Sequence, residues 1–380
     1  MAYTLLPPQN NNKGILILKH LEVQYFTALD KKLIERLKKE YIIGVYFGFY
    51  SKLSKDIWWA DFYLSADNVL KIKTTSVPRI PLNGFNFIDK NEISEVDNLD
   101  KKYDFLYIGN SQTRKNLLQF VKACKYLLER VESSNILIVN RLGNSIEEKL
   151  YVRRVRNVLQ SMNSSTRKNI TYIESMTSSN PLPKDVIKQF YLQSRTLVIP
   201  SRAEGAARVV GEASLNNLKV ISYQKMQGGT NNHLNFEIDE TFESFEQLPD
   251  IMEQTVRNRV CLSEYVSNNK SCYLEDVSKK VLIEHLVKLF FYERDNLEQQ
   301  FSSQNFYNAF SSHLNLIKSE FTNNQTDEVL SFSKMYLYIS YLTDVKPSFL
   351  HLIKARSSDA FSKLNRIFIF PKTLIKLIIS

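Results

Sequence analysis

A chain of 380 residues, 43% apolar and 24% charged, carries enough apolar material for a sizeable core in about two domains, which excludes a disordered or fibrous protein. A formal charge of +10 calls for an anionic partner, whether nucleic acid, a membrane surface or a phosphorylated small molecule. Three cysteines, Cys124, Cys261 and Cys272, with no CxxC pair and no nearby histidine set, argue for a reducing compartment and against a metal or disulfide framework.

In chain order, GILILKH reads as a strand, YFTALDKKLIERLKKE as an amphipathic helix, and YIIGVYFGFY and ADFYLSA as two more strands. The segment VPRIPLNGFNFIDKNEISEVDNLDKK, with Pro78, Pro81 and the Asn83-Gly84 pair ahead of an acidic run, reads as a linker. From Tyr103 the alternation restarts as YDFLYIG, NLLQFVKACKYLLERV, NILIVNRL, EEKLYVRRVRNVLQSM, NITYIES, LPKDVIKQFYLQS, TLVIPS, RVVGEASLNNL and KVISY, strand and helix by turns. Such alternation predicts parallel βαβ units in a doubly wound sheet. Beyond about residue 240 the pattern is mostly helical and less periodic.

The domain boundaries that follow are 1–95 for an N-terminal β/α domain with its linker, 101–290 for a Rossmann-like domain, and 291–380 for a mainly helical extension. There is no basic n-region with an apolar stretch behind it, and no apolar run of roughly 18 residues, so the expected location is cytoplasmic. The C-terminal SKLNRIFIFPKTLIKLIIS, an apolar segment interrupted by Lys363, Arg366, Lys372 and Lys376, suits a helix lying peripherally at the inner face of a membrane. It suits a helix packed across another domain equally well.

Four of the ten glycines, Gly205, Gly211, Gly228 and Gly229, fall between residues 205 and 229, which suggests a close backbone approach. Ligands of parallel sheets bind beyond the carboxyl ends of the strands, where the loops after TLVIPS and KVISY belong. A helix starting near Ala206 would turn unpaired N–H groups toward that edge, with Gly205, Ala206 and Ala207 offering almost no obstruction to a phosphate. Glu204, in the loop before it, is expected to face the crevice. Glu212, about two turns on, needs donors such as paired hydroxyls. A second anion site is suggested where YDFLYIG ends at Gly109 and Arg114 and Lys115 open the next helix.

The order Gly109, Arg114-Lys115-Asn116, NITYIES, Tyr191, Ser194, LVIPSRAEG, GEAS, KVIS and a glycine pair resembles the C-terminal donor domain of GT-B glycosyltransferases of family 4. The resemblance covers roughly residues 103–235 and includes that family's signature of two glutamates with seven residues between them, here Glu204 and Glu212. It implies a GT-B-like α/β fold of two Rossmann-like domains facing across a crevice, the N-terminal one truncated, with extra C-terminal helices. It also implies a hexosyltransferase-type enzyme that moves a sugar from a nucleotide-diphosphate donor with retention, without a cofactor or bound metal. Glu212 would then hold the ribose, Glu204 would meet the donor sugar as the catalytic residue, and Lys115 would contact the diphosphate. The backbone from Gly205 through Val209 to Val210 would cradle sugar and phosphates.

The pattern also departs from the family. Asn110 stands where an arginine is usual, Gly205-Ala206-Ala207 replaces Gly-Phe-Gly, and Asn231, Asn232 and His233 follow the late glycine pair where an acid is common. Arg208 is a candidate to replace the missing cation, and His20, after GILILKH, is the N-terminal candidate. The expected partners are a nucleotide sugar and a carbohydrate or lipid-linked acceptor. Nucleic acid is not expected, because the basic residues are dispersed and no motif interleaves them with aromatics. A non-catalytic nucleotide-sugar-binding protein is the alternative.

Overall fold

The structure is a computed structural model and describes residues 2–6, 13–20, 23–27, 31–47, 51–53, 55–65, 70–72, 76–82, 88, 101–175, 182–205, 207–258 and 275–290. Ala206, most of the expected linker, Cys261, Cys272 and the whole 291–380 extension lie outside the described residues.

The second unit carries the site. Its strands are β8 (Tyr103–Asn110), β9 (Ile136–Arg141), β10 (Ile170–Ser175), β11 (Ser194–Ile199), β12 (Lys219–Tyr223) and β13 (Glu240–Phe242), all parallel, in the order β10-β9-β8-β11-β12-β13. Both faces are covered, and the residues show it with a period of two. Phe105, Tyr107, Ile136, Ile138, Val198 and Ile221 point to one face, where α3 (Leu117–Arg130), α4 (Ile146–Gln160) and α8 (Leu248–Arg257) pack. Leu106, Leu137, Val139, Leu197, Ile199 and Val220 point to the other, against Tyr191 of α6 (Lys184–Leu192) and Val210 and Ala213 of α7 (Arg208–Leu215). Every long element read from the sequence between 103 and 223 is present. The one-turn α5 (Ser164–Arg167) and the three-residue β13 are additions.

The first unit is smaller. Its sheet runs β1 (Ala2–Leu6), β2 (Gly14–Lys19), β3 (Tyr41–Tyr46), β5 (Phe62–Leu64), β7 (Arg79–Ile80), with β1 antiparallel at the edge and the rest parallel. Two short strands, β4 (Ser51–Leu53) and β6 (Leu70–Ile72), pair separately. The predicted helix contributes to α1 (Val23–Thr27) and α2 (Lys31–Glu40), and α2 packs on β3. Ile15, Ile17, Ile42, Phe62, Leu64 and Ile80 form one buried face.

That face is covered from far along the chain. Leu282, Ile283 and Leu286 of α9 (Glu275–Phe290) are at most 2% exposed and pack on it, with Phe290 beside Phe62. The sequence boundary of 101–290 groups this helix with the second unit, but its apolar residues join the core of the first. Each such side chain contributes about 1.5–3 kcal/mol of burial, which outweighs proximity along the chain.

Candidate functional site

A parallel sheet opens a crevice where its strand order reverses, because the loops leaving the two central strands depart in opposite directions. Here that point lies between β8 and β11. The loop after β8 carries Arg114 and Lys115 in a single 3₁₀ turn, Thr113–Lys115, and the loop after β11 carries Glu204. The fold therefore brings residues some 90 positions apart into contact.

Hydrogen bonds stitch the two loops together. Arg202 N donates to Arg114 O at 2.8 Å, and Asn116 Nδ2 donates to Pro200 O at 3.0 Å. Asn116 itself takes φ 53°, a left-handed conformation asparagine tolerates better than most residues, and this lets the chain leave the 3₁₀ turn and enter α3 in one step. A third loop, after β12, closes the arrangement: Gln227 N donates to Arg202 O, Glu204 N to Gln227 O and Gly229 N to Gly205 O, each at 2.8 Å. Gly228 has φ +113°, and a Cβ there would lie 1.7 Å from the Glu204 carbonyl oxygen. The close approach suggested by the glycine cluster is thus made by the protein to itself.

Glu204 does not face an open crevice. Lys115 Nζ donates to Glu204 Oε1, Arg114 Nη1 lies 3.4 Å from Oε2, and the Glu204 side chain is only 7% exposed. The cause is electrostatic: a carboxylate taken out of water needs paired cations, and the neighbouring loop supplies two. Arg114 is further anchored, Nη1 donating to Ala203 O at 2.5 Å and Nε to Gln112 Oε1 at 3.0 Å. Burial pushes the Lys115 ammonium below its ordinary value, while the charge and hydrogen bond of Glu204 pull the other way. Beneath them Tyr107 is fully buried with no hydrogen-bond partner for its hydroxyl, and burial drives that phenol well above its ordinary value. Gly109 leaves room for it, since a Cβ at 109 would sit 2.5 Å from the Tyr107 oxygen.

Glu212 forms a second cluster on α7. Its Oε2 accepts from Tyr191 Oη at 2.7 Å and its Oε1 from Arg208 Nε at 2.8 Å. The donors the sequence required for Glu212 are thus present within the protein. Arg208 is turned to this carboxylate. The Asn110 side chain folds back, its Oδ1 accepting from Gln112 N at 3.3 Å.

The helix beyond Glu204 begins at Arg208, and the N–H of its capping residue Ala207 is already bonded to Thr230 Oγ1 at 3.1 Å. Gly205, Ala207 and Val210 are buried and Val209 is half-buried. Asn231, where an acid is common in the family, ties its loop to β12 by accepting from Ser222 Oγ and donating to Tyr223 O. His20 belongs to the other sheet, at the end of β2, with its ring 5.6 Å from Phe47 and its pKa lowered by burial. Gln112, Gln227 and Thr230 are the structural partners that sequence reasoning missed. Nothing in their local pattern separates them from ordinary loop residues. Among the described residues no three or more of His, Cys, Asp and Glu gather as a metal site, and no helix is long and apolar enough to cross a membrane.

No protein-family profile matches the sequence, and no curated protein matches it. Solved structures do resemble it in fold. TarM superposes with a TM-score of 0.52 at 12% identity, covering 73% of this chain and 55% of TarM. A UDP-forming α,α-trehalose-phosphate synthase from Burkholderia xenovorans superposes with a TM-score of 0.55 at 8% identity, covering 72% of this chain and 74% of the synthase. The chain spans only a little over half the length of TarM. At these identities the likeness concerns architecture alone, and it defines the class: an α/β, GT-B-like fold with Rossmann-like sheets, the fold of glycosyltransferases.

Proposed function

We propose that this chain is a retaining glycosyltransferase of the family 4 type, moving a hexose from a nucleotide-diphosphate sugar to a carbohydrate or lipid-linked acceptor in glycan or surface polysaccharide synthesis. The observation that carries the reading is the meeting of Arg114 and Lys115 with Glu204 across the point where the strand order reverses, with Glu212 farther along the following helix. Transfer breaks the bond from the anomeric carbon to the diphosphate oxygen, and the electron pair stays on the phosphate. Fixed cations in a site mostly closed to water stabilise that developing charge without reorganising. A new bond to the acceptor oxygen forms on the same face, and the acceptor proton passes to the departing phosphate. Arg114 and Lys115 supply positive charge that a bound metal would otherwise provide, Glu204 meets the sugar, and Glu212 meets the ribose. The similarity to a UDP-forming synthase makes a uridine diphosphate sugar the first donor to try.

We place the protein in the cytoplasm, with peripheral contact at the inner membrane face through the segment near the C-terminus. The test is transfer from a panel of nucleoside diphosphate sugars, followed by product stereochemistry. Lys115→Met should lower kcat by about 10²–10³-fold, the scale of losing one preorganised charge-stabilising donor, with the fold intact by circular dichroism. Full activity in both Lys115→Met and Glu204→Gln would overturn the reading. A non-catalytic nucleotide-sugar-binding protein is the second reading, and the observation favouring it is Asn110, whose side chain is spent on its own loop. Calorimetry showing donor binding with no turnover would select it.

A further inference from the structure

We propose that Glu204 is the resident anion of the Arg114–Lys115 site, and that the phosphates of an incoming diphosphate take over these two cations and release the Glu204 carboxylate toward the crevice. The proposal rests on the nucleotide-sugar reading above and adds to it an obligatory exchange of ion pairs.

The contacts set up this competition. Both cations are directed at Glu204, one at each carboxylate oxygen. Exposure is arranged in the required order: the Arg114 and Lys115 side chains are 33% and 18% exposed, while the carboxylate behind them is 7% exposed. An anion arriving from solvent therefore reaches the cations before it reaches the acid. A diphosphate brings more negative charge than one carboxylate and several acceptor oxygens suited to a guanidinium fork and an ammonium.

The backbone confines the exchange to side-chain rotation. Residues 202–205 are tied to 227–229 by three hydrogen bonds of 2.8 Å, and Gly228 lies against the Glu204 carbonyl. Arg114 keeps its bonds to Ala203 O and Gln112 Oε1 when Glu204 leaves. The carboxylate then needs new donors, since an unpaired buried charge is strongly disfavoured. A bare diphosphate provides none, whereas a diphosphate carrying a sugar provides hydroxyl groups at the right side of the site. The exchange thus makes the acid available only when the anion and the sugar arrive together.

The consequence runs opposite to that of an ordinary binding residue: removing the charge at 204 should strengthen diphosphate binding while abolishing transfer. Calorimetric titration with inorganic pyrophosphate should give roughly tenfold or tighter binding to Glu204→Gln than to the natural protein, because the internal competitor is gone. Should that variant fail to fold, Glu204→Asp, whose shorter side chain reaches the cations less well, should shift in the same direction by a smaller factor. Unchanged or weaker pyrophosphate binding in the folded variant overturns the exchange. If pyrophosphate binding tightens but no nucleoside diphosphate sugar binds either protein, the ion exchange stands and the proposed function fails. If nucleotide sugars bind and pyrophosphate affinity does not move, the exchange alone fails.

Discussion

The first sheet advances in one direction, β2, β3, β5, β7, each new parallel strand joining the side opposite β1, whereas the second starts at β8 and is extended on both sides. Among the described residues only the second has a point where adjacent strands send their loops apart, and it is there that Arg114, Lys115 and Glu204 converge. Among the described residues the corresponding end of the first sheet carries aromatic contacts, His20 on Phe47 and Phe47 on Tyr63. The difference teaches that topology, more than composition, decides which of two similar sheets can hold a charged site. A reversal provides a crevice, and a one-way progression provides a surface to be packed.

The comparison can be broken most severely at α9. Leu286→Ala should destabilise the first unit by about 2–5 kcal/mol, the usual range for a fully buried leucine. Hydrogen exchange should show β2, β3 and β5 loosened and β8 to β12 still protected; equal loosening of both sheets would mean that their cores are not separate. Gly228→Ala comes next. Its φ of +113° and the contact with the Glu204 carbonyl predict a loss of about 1–3 kcal/mol together with a sharp fall in transfer, measured by urea unfolding and by turnover.

A smaller effect is expected at the second cluster. Tyr191→Phe removes one donor from Glu212 and should raise KM for the nucleotide sugar by about tenfold or somewhat more, the lower end of the value of one hydrogen bond to a charged group, with kcat little changed. A fall in kcat alone would assign Glu212 to the chemical step instead. The smallest effect belongs to the first sheet. Burial lowers the pKa of His20 from 6.5, so the neutral ring is favoured in the folded state. Its contribution is intact above 6.5 and is lost as the pH falls, because the unfolded chain takes up its proton first. In His20→Gln the urea midpoint should vary less across this window, with turnover unaffected, and a changed turnover would bring His20 into the site.

Much of this was legible in the sequence where periodicity is long. The strand and helix repeats from Tyr103 to Tyr223 announced the doubly wound sheet, and the spacing of Glu204 and Glu212 marked the loop and helix that carry them. What escaped was either short or non-local. The four residues of α5 and three of β13 are too few to set a period. The partners of Glu204 and Glu212 lie on other loops and helices, and only the folded topology brings them near. Glu204 is a case in point: its loop position suggests a carboxylate toward the crevice, and in the structure two cations from the loop after β8 pair with it. Arg208 is ambiguous in sequence, where it can replace the cation missing at Asn110 or point into water; in the structure it pairs with Glu212, four residues on.

The position of α9 also bears on how the chain is made. The described strands and packing helices of the second unit end at residue 257, but the apolar face of the first sheet waits for residues 282–286. On a ribosome the portion synthesised first is therefore the portion finished last. Until α9 emerges, the apolar face of β2, β3 and β5 is without its cover, in the form of parallel strands that pair slowly and aggregate readily. The first unit is thus the part of the chain where a chaperone is expected to bind during synthesis, and the second unit is where folding begins first.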